Sequence, residues 1–222
     1  MWYRMSFVAE PNIMGCDTQV KDLHGSALDF QNQLFDVTFT HPLFYEGVID
    51  YVELKQKARF TDILWDYTLQ GRGLFVSEKT KLLLSSYKLL NANFYPAIVR
   101  KAREQKPYFC LRMSGDISDK VDYSRSEFLW YKADEEKDYL LRFSSAQEMI
   151  IKEKEVGPID SIRAKALYFN DDFVHERYDM IFLGLLGVGK YYINDRLKLQ
   201  IERDELVGLD FKEAPHLLNG DN

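Results

Sequence analysis

Gly184 to Tyr191 reads GLLGVGKY, close to the glycine-rich loop that wraps the phosphates of a nucleotide. That chemistry needs glycines so that backbone N–H groups can close on phosphate, a lysine for charge, and a serine or threonine for magnesium. Gly184, Gly189 and Lys190 fit, but Tyr191 stands where the hydroxyl residue belongs and is too large for the task. Asp116, Asp119 and Asp122 in GDISDKVD offer three carboxylates. An EF-hand calcium loop alternates its ligands and closes on a glutamate, so this spacing reads as a polar turn. His24, His41, His175 and His216 are scattered, and none has a second His or Cys two to four residues on. Cys110 lies inside YFCL, where a small buried hydrophobe is expected rather than a thiol nucleophile. Ser77 and Ser124 lack a G-x-S-x-G context. The residues therefore predict no catalytic, cofactor-binding or metal site, and a protein that is not an enzyme.

At 222 residues the chain suits one large domain or two small ones and can bury a real core. Its net charge of −6 argues against a general nucleic-acid binder, which needs basic surface to replace the counterions of phosphate. No stretch approaches the ~20 apolar residues of a membrane helix. The start, MWYRMSFVAEPNIMG, lacks the basic-then-apolar pattern of a signal peptide, so the cytoplasm is the default. Cys16 and Cys110 are the only cysteines and are expected to be free thiols.

The elements that would position any site follow from alternation and punctuation. Trp2 to Val8 alternates as a strand, and Pro11 to Gly25 reads as a loop. Leu34 to Phe39 reads as a strand ended by His41-Pro42, because the residue before proline is pushed out of helical geometry. Val48 to Leu54 is a strand, and Phe60 to Leu69 a strand or short helix. Phe94 to Ala102 and Tyr108 to Met113 are strands joined by a turn at Lys106-Pro107. Val121 to Lys132 and Tyr139 to Phe143 flank an acidic hairpin turn at Asp134 to Asp138. Ser144 and Ser145 can cap a helix from Ala146 to about Lys154, broken by Gly157-Pro158. Ala164 to Phe169 is a strand, Asn170-Asp171-Asp172 a turn, and Tyr178 to Phe182 leads onward. The expectation is a single α+β domain over residues 1–222, mostly antiparallel sheet with a few packed helices.

The densest stretch is YYINDRLKLQIERDELVGLDF, Tyr191 to Phe211. Tyr191, Tyr192 and Ile193 suit a strand. Asn194 can cap a helix, and Asp195 places a negative charge at the positive end of its dipole. Leu197 and Ile201 share a face, Gly208 suits a helix stop, and Leu209 to Phe211 begins a second strand. A similar run lies 117 residues earlier: Leu74 to Val76, Ser77 as cap, Glu78, a helix face at Leu83, Tyr87 and Leu90, Asn91 as stop, then Asn93 and Phe94. These are two similar strand–helix–strand units, a pseudo-repeat around 71–97 and 187–214. The plainer reading stands beside it, that any such passage needs a cap, an acid and a stop.

GLFVSEKTKLLL and the 191–211 stretch resemble immunity family eleven of bacterial polymorphic toxin systems, a family first grouped as a domain of unknown function. The resemblance rests on Ile193, Asn194, Asp195, Leu197, Gly208, Leu209 and Phe211, and on Tyr108, Asp119, Asp122, Tyr123 and Ser126 in the middle segment. It covers roughly residues 45 to 213. Asn194 departs from the commoner serine, a conservative change of cap. The resemblance implies a non-catalytic protein that binds a cognate protein toxin and blocks it, with no cofactor, nucleic acid or membrane involved. Asp134, Glu135, Glu136, Asp171 and Asp172 are the candidate partner-binding residues, since acidic turn tips can reach into a basic cleft. Two other readings remain: a small cytoplasmic enzyme with a dispersed active site, and an adaptor or interaction domain.

Overall fold

Alternation sorts the strands between two cores. The computed structural model describes residues 1–218 except 9, 17, 37–42, 44, 65, 67, 70, 71, 115, 116, 157–159 and 184–189. The described residues form an α+β fold of three mostly antiparallel sheets with six helices. The chain opens with β1 (Trp2–Phe7), α1 (Pro11–Met14), β2 (Val20–Leu23) and α2 (Ser26–Asp36). Next come β3 (Ile49–Leu54), β4 (Ile63–Leu64), β5 (Leu74–Ser77) and α3 (Glu78–Leu84). A long hairpin of β6 (Ala92–Lys101) and β7 (Glu104–Met113) leads to a second of β8 (Glu127–Lys132) and β9 (Lys137–Leu141). The chain continues through α4 (Ala146–Glu155), β10 (Ser161–Tyr168), α5 (Asp171–Glu176) and β11 (Met180–Leu183). It ends with β12 (Lys190–Asn194), α6 (Asp195–Arg203), β13 (Leu209–Glu213) and β14 (Leu217–Leu218).

The sheets run β2-β3-β6-β7-β5-β4, β11-β12-β1-β13 and β14-β10-β8-β9. In the six-stranded sheet, Leu74, Val76, Leu111 and Met113 face one core, while Phe75, Tyr108 and Cys110 face the other. That is the two-residue period of a strand buried on both sides. The second core is closed by α2, whose Ala27, Phe30 and Leu34 are all fully buried at helical spacing. The first core fills the space between this sheet and the two four-stranded ones.

Several local expectations are corrected. Pro11 to Gly25 is not all loop, since it holds α1 and β2. Leu34 is the end of α2, not the start of a strand; packing of one helical face outweighed the local run of apolar residues. Residues 37–42, including His41-Pro42, lie outside the described set, as do Gly157-Pro158. The β6–β7 turn falls at Ala102, whose φ is +53°, and Pro107 pairs with Ile98 inside β7. This is tolerated because β5 reaches only to Tyr108, so no neighbour on that side needs the missing N–H. Val121 makes only an isolated bridge to Phe169, a turn follows at 123–125, and the strand begins at Glu127. Asn170 does not make a turn with Asp171 and Asp172: its side chain accepts from the Phe173 N–H at 3.1 Å and caps α5.

The two strand–helix–strand units fold alike. Ile63↔Val76 and Leu64↔Phe75 join β4 to β5, and 117 positions on, Met180↔Ile193 and Ile181↔Tyr192 join β11 to β12. In each half a helix connects two strands that lie on either side of one antiparallel strand, β7 in the first and β1 in the second. Phe94↔Leu111 and Tyr95↔Cys110 have their counterparts in Phe211↔Met5 and Lys212↔Arg4. The middle strands differ in origin. β7 follows β6 directly, whereas β1 arrives from the beginning of the chain.

The caps form as the residue types dictate. Ser77 accepts from Thr80 N–H at 3.2 Å, Asn194 from Leu197 N–H at 3.0 Å and Ser145 from Glu148 N–H at 3.3 Å. Gly208 has a different role from the expected one. α6 ends at Arg203, and the left-handed residue beyond it is Glu205 at φ +52°. Gly208, at φ +109°, lies against β4, where an added Cβ would sit 2.3 Å from the Ile63 carbonyl oxygen. Asn91 likewise takes φ +45° at the entrance to β6, well past the end of α3, so Tyr87 and Leu90 lie beyond the helix.

Candidate functional site

The starts of α3 and α6 each rest on an aspartate, and the two aspartates are equivalent. Asp62 precedes β4 and Asp179 precedes β11, 117 residues apart. The Asp62 carbonyl accepts from Ser77 N–H at 2.7 Å, and the Asp179 carbonyl from Asn194 N–H at 3.0 Å. The Asp62 carboxylate accepts from the Ser77 hydroxyl at 2.8 Å; that of Asp179 accepts from the Asn194 amide at 2.9 Å. The second oxygen of each crosses to the other half. Asp62 accepts from Val207 N–H, after α6, and Asp179 from Lys88 N–H, after α3, both at 2.9 Å. The crossing continues in the backbone, where Ile63 N–H donates to the Val207 carbonyl and Leu90 N–H to that of Met180, both at 3.1 Å. Each half thus caps the edge strand of the other with the loop that trails its helix.

Two clefts open beside these nodes at equivalent places. The α6 cleft, about 450 Å³, is lined by Trp2, Tyr178, Asp179, Asn194, Asp195 and Arg196, among others. The α3 cleft, about 650 Å³, is lined by Tyr108, Thr61, Asp62, Ser77, Glu78 and Lys79 at the matching positions. Their chemistry differs. In the α6 cleft Arg196 donates from Nε to Asp179 at 2.9 Å and makes a second, shorter bond from its terminal nitrogen. Burial alone would raise the Asp179 carboxyl, but Arg196, the Lys88 N–H and the Asn194 amide bring it below its ordinary value. Asp195 accepts from the Tyr3 hydroxyl at 3.0 Å and from the Met1 amino group at 2.5 Å. The floor is aromatic, with Trp2 and Phe173 rings 5.9 Å apart and Phe173 stacked on Phe169 at 3.9 Å. In the α3 cleft Lys79 instead donates to the Asp204 carbonyl at 2.5 Å. Its wall is made by Phe60 and Tyr108, with ring centroids 6.3 Å apart.

The acidic residues singled out by sequence fall in two separate places. Asp134, Glu135 and Glu136 form the exposed β8–β9 turn. Glu135 is held there by Lys132 Nζ at 2.7 Å and by the Tyr139 hydroxyl. Asp171 and Asp172 are exposed in the first turn of α5, where negative charge favours the helix dipole. The β8–β9 turn sits at the Ser161 end of β10, since Tyr131 pairs with Ser161, and α5 begins beyond Tyr168 at the other. Eight residues of strand place the two groups about 25 Å apart. The structure does not bring them together.

The remaining candidates take structural positions. Gly184 to Gly189 lie outside the described residues, as do Asp116 and His41. Asp122 accepts from the Ser124 hydroxyl at 2.6 Å in a tight turn, and the Asp119 carbonyl accepts from Asn170 at 2.9 Å. No group of three or more His, Cys, Asp or Glu among the described residues could hold a metal ion. Cys110 is fully buried, and burial pushes its thiol far above the ordinary range, which keeps it uncharged. Cys16 and Cys110 are free thiols. No described helix is long and apolar enough to cross a membrane.

A charge cluster that sequence reasoning missed surrounds Glu176 at the end of α5. It accepts from Lys120 at 3.0 Å, from Lys88 at 3.2 Å and from the Tyr178 hydroxyl. The Tyr178 hydroxyl and the two lysines hold the Glu176 carboxyl at about 2, below its ordinary 4.5. Its contribution to stability is therefore complete above about 4.5 and is lost as pH falls towards 2. A side-chain carbon NMR titration should place the Glu176 inflection near 2; an inflection at 4 or above would contradict this geometry. Tyr178 is two residues away, but both lysines come from segments far from Glu176 in sequence, so no local signal marks the charge cluster.

No model of a known protein family matches the chain, and no curated protein matches it in sequence.

Proposed function

We propose that this chain is a non-catalytic immunity protein of a bacterial polymorphic toxin system, acting in the cytoplasm by binding and neutralising a cognate protein toxin. The observation that carries the reading is the resemblance of the Ser77 and Asn194 units to immunity family eleven. The residues behind it cap the helices, and Gly208 sits against β4. A scaffold tied together at both helix starts suits a tight inhibitor, which must hold its contact residues in place before the partner arrives. The acidic turn at Asp134 to Glu136 and the α5 start at Asp171 and Asp172 suit a toxin with a basic cleft.

Co-expression with the product of the adjacent open reading frame tests this directly. A pair that elutes together and a host that survives are expected. A folded chain with neither pairing nor rescue would end the reading. If the β8–β9 turn meets the toxin, reversing charge with Glu135→Lys and Glu136→Lys should slow association about tenfold at low salt. An unchanged on-rate would remove that turn from the interface.

An adaptor role without a toxin is the second reading. Leu82 and Leu199 favour it, for they occupy equivalent places on α3 and α6 and are 65% and 60% exposed. Co-purification of a non-toxic partner would select it.

A further inference from the structure

The two equivalent clefts differ in how they treat their cations. At the start of α6, Arg196 is neutralised inside the protein by Asp179. At the matching place on α3, Lys79 reaches only a backbone carbonyl, and Asp62 is taken up by the Ser77 hydroxyl and the Val207 N–H. Arg59 enters the same cleft and likewise donates only to a carbonyl, that of Asn12 at 2.7 Å. Lys106 lies over the Phe60 ring at 4.5 Å, and its one carboxylate, Glu104, is itself exposed. Glu78 is the single opposing charge at the rim that no described group engages. Among the described residues, then, Lys79 and Arg59 meet no carboxylate and Lys106 meets only the exposed Glu104, and these three cations line one cleft of a chain whose net charge is −6. The opening, about 650 Å³, has an aromatic wall of Phe60 and Tyr108 between the charges.

We propose that the α3 cleft is a docking site for an acidic segment of the partner protein, one that sets an apolar side chain against Phe60 and Tyr108 and carboxylates against Lys79, Arg59 and Lys106. This rests on the reading of the chain as a partner-binding protein and names the surface and the chemistry it takes. The α6 cleft suits such a segment less, because its Arg196 and the Met1 amino group already hold carboxylates, which leaves only Arg177 among its described cations. Arginine and tyrosine are usual anchors of recognition, and complementary charge, which the lysines add, sets register and on-rate.

The test uses the full chain, labelled with nitrogen-15, and two capped tetrapeptides, Glu-Leu-Phe-Asp and its neutral counterpart Gln-Leu-Phe-Asn, at low salt. The acidic peptide should give saturable shifts at the amides of Thr61, Glu78 and Lys79, with none around Asn194 and Arg196. The neutral peptide should bind about tenfold more weakly, and Lys106→Glu should weaken the acidic one by a similar factor. Lys106 is engaged only by the exposed Glu104 and the Phe60 ring, so a thermal melt of that variant beside wild type separates binding from folding. Glu78→Gln should tighten binding. No saturable shift at millimolar peptide, equal binding of the two peptides, or shifts centred elsewhere would overturn the proposal. Peptide binding without toxin pairing would discard the toxin and keep the cleft; the reverse would discard the cleft alone.

Discussion

Replacing Asp179 with alanine should cost about 3 kcal/mol of stability and lower the urea midpoint by about 1 M. Its side chain is 1% exposed. Three groups lose their acceptor together: the Lys88 N–H, the Asn194 amide and the Arg196 guanidinium. The guanidinium is 66% exposed and can turn to water, so the ion pair supplies the smaller part. The larger part is the Lys88 N–H left without an acceptor, and the Asn194 amide left with only the Tyr178 carbonyl, at a junction between the halves. The same change at Asp62 should cost less, since Asp62 is only half-buried and has no arginine. Asp179→Asn should fall between wild type and alanine. Because the folded Asp179 titrates below its ordinary value, the gap between wild type and Asp179→Asn should narrow as pH drops below about 4. Chemical unfolding followed at several pH values checks each expectation. Equal midpoints for wild type and the alanine variant would show that the node contributes nothing.

Gly208→Ala is expected to be as damaging, at about 3 kcal/mol or more. A side chain at φ +109° is strained wherever it points, and this one would point at the Ile63 carbonyl from 2.3 Å. Neither strand can retreat cheaply, because the Ile63 N–H is bonded to Val207 immediately before the glycine. Asn91→Gly gives the opposite sign. Its φ of +45° suits glycine better than asparagine, so this change should stabilise by a few tenths of a kcal/mol. Thermal unfolding of the two variants beside wild type decides both. A Gly208→Ala protein melting within a degree or two of wild type would mean the contact relaxes.

The contrast at Gly208 shows what sequence could and could not convey. The cap at Asn194, the acid at Asp195 and the buried pair Leu197 and Ile201 act within one or two helical turns, so they were readable and correct. That a glycine belonged at position 208 was readable too; the reason was not, because the atom it avoids belongs to Ile63. α2 was missed although Ala27, Phe30 and Leu34 carry its period, since the apolar run from Leu34 imitated a strand. The clefts were invisible for the same reason as the Glu176 cluster. Tyr108 meets Thr61 and Trp2 meets Phe173 only after distant strands have paired. The acidic residues could be named from sequence, but the length of β10 between them could not.

The placement of β1 also sets the order in which the molecule can be completed. Its neighbours β12 and β13 leave the ribosome only after the ten strands from β2 to β11. Until then Trp2 and Met5, both core residues, belong to a strand with no sheet to join. The first half suffers no such delay, because β7 emerges directly after β6. Synthesis therefore yields a six-stranded sheet with one face still uncovered beside an unpaired β1, and closure joins residues as distant in sequence as Trp2 and Asn194. Contacts so distant along the sequence make for slow folding. During that interval β1 from one nascent chain can pair with the vacant slot in another, so crowded polysomes are where this protein is most exposed to exchange between copies.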